Sequence, residues 1–269
     1  MSRNEERAFN ELLEYIEREM AFESGFYNDA YLDRRITARM RRTDHDDYRA
    51  YRKLLERDEE ERKLLLDSLS INVTGFFRNP EAWEPLRPVL RDLTDTHRTV
   101  RVWSAPCADE REPYSVAMLA LDDGDIDHHR IEILGTDINS DILEEARAGV
   151  YETSQTSDIE EELEPLAEYS PYVDRRDDRF EVRKRVRRLV TFEQHDLIRG
   201  EPKRNFDLVL CRNLLIYIDT SYKTPIFRTI RGSLRDGGYL MIGMTETLPT
   251  ECRDEFEPVS KQHRIYRRM

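Results

Sequence analysis

The chain has 269 residues, enough for one large α/β domain with a smaller module beside it, and 38% of them are hydrophobic against 37% charged. Its formal net charge of −13 argues against general nucleic-acid binding, which needs a positive face. No apolar run approaches the roughly 18–20 residues that cross a bilayer, and the opening MSRNEERAFNELL has no signal-peptide core, so a cytoplasmic protein without membrane insertion is expected.

Residues 1 to about 67 predict helices. Phe9, Leu12, Leu13, Ile16 and Met20 recur at helical spacing, as do Leu54, Leu55 and the run Leu64 to Leu66. One glycine and no proline in this stretch fit a compact helical domain over residues 1–70. A linker over residues 71–97 opens on Ser70-Ile-Asn-Val-Thr-Gly-Phe-Phe-Arg78 and Asn79-Pro80. Phe76 and Phe77 suit stacking on a flat ring, and Arg78 suits bidentate binding of a carboxylate. A plain inter-domain connection with buried phenylalanines accounts for the same residues equally well.

From about 98 to 269 short apolar runs alternate with amphipathic stretches. Strands are predicted at Thr99 to Ser104, Ile131 to Thr136, Val190 to Gln194, Phe206 to Cys211, Gly238 to Gly243 and Arg264 to Arg268. Helices are predicted from Glu112 onward, over Ser140 to Ala148 and over about 220–233. This order predicts an α/β fold with a mostly parallel, helix-flanked sheet, whose ligands lie outside the carboxyl ends of the strands. Residues of about 152–189 break the rhythm. There Phe180, Val182, Val186 and Leu189 fit short antiparallel strands, so an inserted β-subdomain is expected. Its basic run Arg183 to Arg188 reads either as a solvated strand edge or as a docking surface for an acidic protein segment.

Three candidate site groups sit at predicted strand ends. Asp137 closes the strand IEILGTD and is placed to accept ribose hydroxyls, or to cap the next helix. The turn from Trp103 to Ser115 lacks the glycine that lets backbone approach a nucleotide closely. In it Pro113 suits a first helical turn, and Glu112 suits the positive helix end or a cationic sulfonium. Asn213, after FDLVLCR, suits the amino-acid part of a cofactor, or again a helix cap. Cys107, Cys211 and Cys252 are far apart and lack ligand spacing, so reduced, mostly buried thiols and no metal are expected.

Together these segments resemble the CheR family of chemotaxis receptor methyltransferases. The likeness rests on N-x-T-x-FFR (Asn72, Thr74, Phe76, Phe77, Arg78), WSA…EPYS, TDI…L..AR.G.Y (Asp137 to Tyr151), FD…CRN.LIY.D (Phe206 to Asp219) and GGYL.IG..E (Gly237 to Glu246). It runs from the helical domain to the final YRR.

The resemblance implies a Rossmann-like S-adenosylmethionine-dependent methyltransferase domain, an all-helical N-terminal domain and an inserted small antiparallel β-subdomain that docks receptors. It implies cofactor contacts at Asn72, Thr74, Arg78, Glu112, Asp137, Asp196, Leu197, Asn213 and Leu214, with Asp196 standing where the family often has Asn. The implied reaction esterifies glutamate side chains in the cytoplasmic region of methyl-accepting chemotaxis receptors and releases S-adenosylhomocysteine. Arg78 and Tyr217 are the candidates for orienting the substrate carboxylate, and a monomer is expected.

The chain departs from the family pattern AGCSTGEEPYS, with Pro106 and Glu110 in place of both glycines and Arg111 in place of the first acid. That glycine-free turn favours a competing reading, a non-catalytic protein that binds signalling partners. A methyltransferase for another substrate is the third reading. Of the 43 basic residues 6 are Lys and 37 Arg, beside 56 acidic ones. Such an acid-rich, lysine-poor surface suits concentrated salt and predicts a halophilic, archaeal source, with a GC-rich genome as the alternative cause.

Overall fold

The computed structural model describes residues 2–20, 22–69, 74–109, 111–154 and 157–269. It divides into two compact units, Met1–Asn72 with Tyr217–Lys223, and Val73–Ile216 with Thr224–Met269. Among the described residues no helix is long and apolar enough to cross a membrane.

The first unit is helical. Helices α1 (Arg3–Met20), α2 (Asp29–Arg42), α3 (Tyr48–Arg57) and α4 (Glu59–Leu69) pack α1 on α3 and α2 on α4. Asn28 and Asp47 cap α2 and α3 by accepting backbone N–H bonds from the first turn. The core is Phe9, Leu12, Ile16, Leu32, Ile36, Tyr51, Leu55, Leu65 and Leu69. Of the run Leu64 to Leu66 only Leu65 is fully buried, because successive helical residues point about 100° apart. One buried polar cluster interrupts this core. Glu61 accepts from Arg39 Nε at 3.0 Å and from the Tyr51 hydroxyl at 2.5 Å. The chain returns to this unit at Tyr217–Lys223, where Tyr217 packs on Tyr31 with ring centroids 4.8 Å apart.

The second unit begins with α5 (Leu86–Thr96), inside the stretch expected as a linker. Its face of Leu86, Val89, Leu90 and Leu93 has clear helical spacing, but Pro85 and Pro88 obscure it. Both prolines lie at the helix entry, where a missing N–H costs nothing. Then follow β1 (Val100–Ser104), α6 (Arg111–Asp122), β2 (Ile131–Asp137) and α7 (Ser140–Ala148), which ends at Gly149 with φ of 63°. An excursion supplies β3 (Val150–Glu152), α8 (Ile159–Glu162), β4 (Val173–Arg176), β5 (Arg179–Val182) and α9 (Lys184–Arg187). The chain closes with β6 (Val190–Gln194), β7 (Phe206–Cys211), α10 (Thr220–Ser233), β8 (Leu234–Ile242), β9 (Phe256–Ser260) and β10 (Ile265–Arg268).

Seven strands form one sheet in the order β6-β2-β1-β7-β8-β10-β9. The pairs from β6 through β8 are parallel, while β10 runs antiparallel to both β8 and β9. Strand order reverses between β1 and β7, so a crevice is expected outside their carboxyl ends. The excursion forms the separate antiparallel sheet β3-β5-β4. Val186 and Leu189, expected on strands there, instead lie in the helical turn α9 and just after it. Over four residues, one buried side chain fits either element. Within the basic run, Arg183 pairs with Asp174 at 2.7 Å, Arg185 lies over the Tyr172 ring, and Arg187 donates to the Ala148 carbonyl.

The Glu61 cluster yields a stability prediction. Glu61→Ala leaves the Arg39 charge buried without its carboxylate and lowers stability by about 3 kcal/mol. The urea midpoint of the helical unit falls accordingly, and an unchanged midpoint refutes this account of the core.

Candidate functional site

The turn after β1 and the tip of β2 meet at the carboxyl edge of the sheet. Asp137 Oδ2 accepts the Ala108 N–H at 3.0 Å and Oδ1 accepts the Asn139 N–H at 3.0 Å. The Cys107 N–H donates to the Thr136 carbonyl at 2.9 Å, so the turn is clamped to β2 twice. Asn139, not Asp137, caps α7, its side chain accepting from Asp141 and Ile142. That frees Asp137 from the capping role. Burial raises its carboxyl above the ordinary value, against the backbone N–H groups of Asn139, Ala108 and Ile138. Ala108 stands at φ of 47°, and Glu110 lies outside the described residues.

Glu112, in the first turn of α6, is buried with a relative exposure of 8%. Its Oε1 accepts the Ser104 hydroxyl at 2.8 Å, and its Oε2 faces Arg212 Nη1 at 3.2 Å. Arg212 follows β7 directly and lies over the Trp83 ring at 5.3 Å. Its Nη2 donates to the Arg78 carbonyl at 2.7 Å, and the Trp83 indole N–H donates to the same oxygen at 3.1 Å. Glu112 therefore answers Arg212 and Ser104, and through Arg212 it fixes the backbone at Arg78. Burial raises the Glu112 carboxyl, with Arg212 as the leading opposing influence.

At the end of β7, Asn213 adopts φ of 59° and its side chain is half-buried. It caps no helix, since α10 starts at Thr220 and Asp219 accepts the Ser221 N–H. Instead its N–H donates to Glu246 Oε2 at 3.0 Å. The same carboxylate takes the Leu215 N–H at 2.6 Å and the Gly243 N–H at 2.7 Å. Glu246 thus holds the Asn213-Leu214-Leu215 loop in shape. A Cβ at Gly243 would come within 2.6 Å of Glu246 Oε2 and 2.9 Å of the Asn213 nitrogen, so this contact requires glycine. Glu246 lies in the motif GGYL.IG..E, where its local sequence shows no role for it. A lone acid three residues past a glycine-ended strand is the available signal.

Asp196, after β6, spends Oδ1 on the Ile198 and Arg199 N–H groups of its own turn, and Leu197 is buried beside it. Its neighbour His195 donates its backbone N–H to the Asp137 carbonyl at 2.9 Å. Thr74 and Arg78 are half-buried in the second unit, Tyr217 belongs to the first, and Asn72 lies outside the described residues.

Asp137, Glu112, Asp196, Asn213 and the Arg78 segment thus share one unit, and all but the last follow strands or open the helix after β1. The donor set fits S-adenosylmethionine. A carboxylate offers about four lone pairs, so Asp137 keeps room for ribose hydroxyls beside its backbone donors. Asn213 offers a neutral amide to an amino-acid group.

This fold and edge define a Rossmann-like methyltransferase that uses S-adenosylmethionine. The comparisons with known proteins narrow the class. Residues 72–265 match the CheR methyltransferase, SAM binding domain, and residues 7–70 match the CheR methyltransferase, all-alpha domain. The chain is 31% identical to a chemotaxis protein methyltransferase of Listeria monocytogenes, over 87% of each chain. It is 35% identical to a probable chemotaxis protein methyltransferase of Rhizobium etli, over 74% of this chain and 76% of that one. The protein belongs to the CheR methyltransferase family.

The raised Asp137 carboxyl sets a pH dependence. Ribose hydroxyls donate best to an ionised carboxylate, so if Asp137 accepts them, affinity for S-adenosylhomocysteine is full above its folded-state pKa and falls as pH drops through it. Because that pKa lies above the ordinary 3.8, the loss begins at a higher pH than for an exposed aspartate. Calorimetric titration at stepwise lower pH checks this, and Asp137→Ala removes both the binding and its acid limb. Tight, pH-insensitive binding by that variant would exclude Asp137 from the site.

Proposed function

We propose that this methyltransferase esterifies glutamate side chains in the cytoplasmic region of methyl-accepting chemotaxis receptors. The observation that carries the reading is the union, in one chain, of the CheR all-alpha domain with the CheR SAM binding domain, which carries Asp137, Asn213 and the Arg78 segment. The names of the relatives from Listeria monocytogenes and Rhizobium etli support a role in chemotaxis.

In the proposed arrangement, Asp137 holds the ribose of the cofactor, Asp196 and Leu197 border the adenine, and Asn213 with Leu214 holds the amino-acid end. Thr74, Asn72 and Arg78 complete this set, and Glu112 acts by holding Arg212 and the backbone at Arg78. When bound, S-adenosylmethionine supplies a methyl carbon on a cationic sulfur, which departs as a neutral thioether. A glutamate carboxylate is already ionised at neutral pH, so its oxygen attacks without a general base. Arg78 and Tyr217 are proposed to orient that carboxylate. The protein's contribution is then alignment of the reacting atoms and exclusion of water, which together account for large accelerations in bimolecular reactions.

Transfer of radiolabelled methyl groups to purified receptor cytoplasmic segments tests the reading. Label released as methanol by mild base identifies an ester, and Arg78→Ala is expected to lower kcat/KM about a hundredfold. Stable labelling that resists base, or none with a protein that binds S-adenosylhomocysteine, refutes glutamate as the acceptor.

A further inference from the structure

The charge reversal at Arg111 has a built environment. Its guanidinium is buried, with a residue exposure of 8%. Nη2 meets Asp109 Oδ2 at 2.6 Å, while Nη1 meets both Glu162 oxygens and the Ser157 hydroxyl at 2.9 Å. Asp109 belongs to the turn after β1, whereas Ser157 and Glu162 belong to the excursion that carries the small sheet. Tyr151 of β3 joins them, its hydroxyl donating to the Asp109 carbonyl at 3.0 Å.

Glu162 has a second task. Its Oε2 accepts the Phe76 N–H at 2.8 Å. The approach is so close that a Cβ on Gly75 would stand 3.1–3.3 Å from the Glu162 carboxyl group. The next N–H, that of Phe77, donates to Ser115 Oγ at 2.9 Å, and the following carbonyl, that of Arg78, accepts from Arg212. Three consecutive residues are thus held by three different side chains. Within this stretch Phe77 has φ of 47° and Asn79 has φ of 58°. A left-handed Phe costs on the order of 1–2 kcal/mol and persists only where its surroundings impose it.

We propose that Arg111 and Glu162 are positioning residues for methyl transfer, locking the Phe76–Asn79 segment, and with it Arg78, to the inserted subdomain. The arginine at 111 makes the lock, its Nη1 meeting both oxygens of Glu162, where an acid would repel that carboxylate. A partner that engages the inserted subdomain then acts on the same rigid unit as the residue that meets cofactor and substrate. The inference rests on the proposed role of Arg78.

The test measures S-adenosylhomocysteine affinity by calorimetry, and KM for S-adenosylmethionine and for receptor segments, in the full chain. Arg111→Ala and Glu162→Ala each weaken S-adenosylhomocysteine about tenfold, within the range by which residues act through packed networks. The double variant is no weaker than either single one, because both break one lock. Glu162→Gln keeps an oxygen for Phe76 and Arg111, folds without a buried cavity, and binds within about threefold of the parent. KM for S-adenosylmethionine rises in parallel with the loss of affinity, while KM for receptor segments stays within about twofold. If Arg78→Ala loses affinity but folded Arg111→Ala and Glu162→Ala do not, the lock is wrong and the site assignment stands. If the parent protein itself fails to bind S-adenosylhomocysteine, both fall.

Discussion

Charge is costly to bury, and the first turn of α6 buries two charges in succession, Arg111 and Glu112. Neither can be left unpaired, and their partners come from distant parts of the chain. Arg111 draws in Glu162 from the excursion, and Glu112 draws in Arg212 from the end of β7. Ser115, one turn on, takes the Phe77 N–H. The start of this helix is therefore where the sheet, the inserted subdomain and the FFR segment are tied together. The geometry at Arg78 follows from satisfying those charges.

The turn without glycine is compatible with this arrangement. Among the described residues of the turn, the left-handed position falls on Ala108, whose side chain is the smallest after glycine. Its conformational cost is on the order of 1 kcal/mol, and the bond from its N–H to Asp137 offsets it. The backbone conformation that glycine favours is thus reached without glycine. The competing reading of a non-catalytic binder drew its support from that absence, and the family membership of both domains favours the enzyme.

Much of this was legible in the residues alone. The central strand β7, FDLVLC, is buried at every position and apolar at all but Asp207, so it announces itself. Asp137 and Asn213 were marked as ligand residues by their places at strand ends, with helix capping as the rival. The rival was removed by Asn139 and Asp219, which do the capping. Other parts were hidden for physical reasons. Strand β9 lies at the sheet edge, exposes most of its side chains and carries Pro258, so it shows neither alternation nor an apolar run. Helix α5 was masked by its entry prolines. Arg212 and Glu246 act on backbone groups remote in sequence, and no local pattern reports such bonds.

Glu246 carries one more consequence. A loop that meets a ligand through backbone and a short amide is ordinarily loose, and its ordering is charged against binding. Here one buried carboxylate gathers three amides from Asn213, Leu215 and Gly243. The entropy of that loop is therefore lost once, when the chain folds, and not again at each turnover. Reactant and product cofactor share the amino-acid end that this loop is proposed to hold, so the preformed cradle serves both, and they differ at the sulfur by one methyl group and one positive charge.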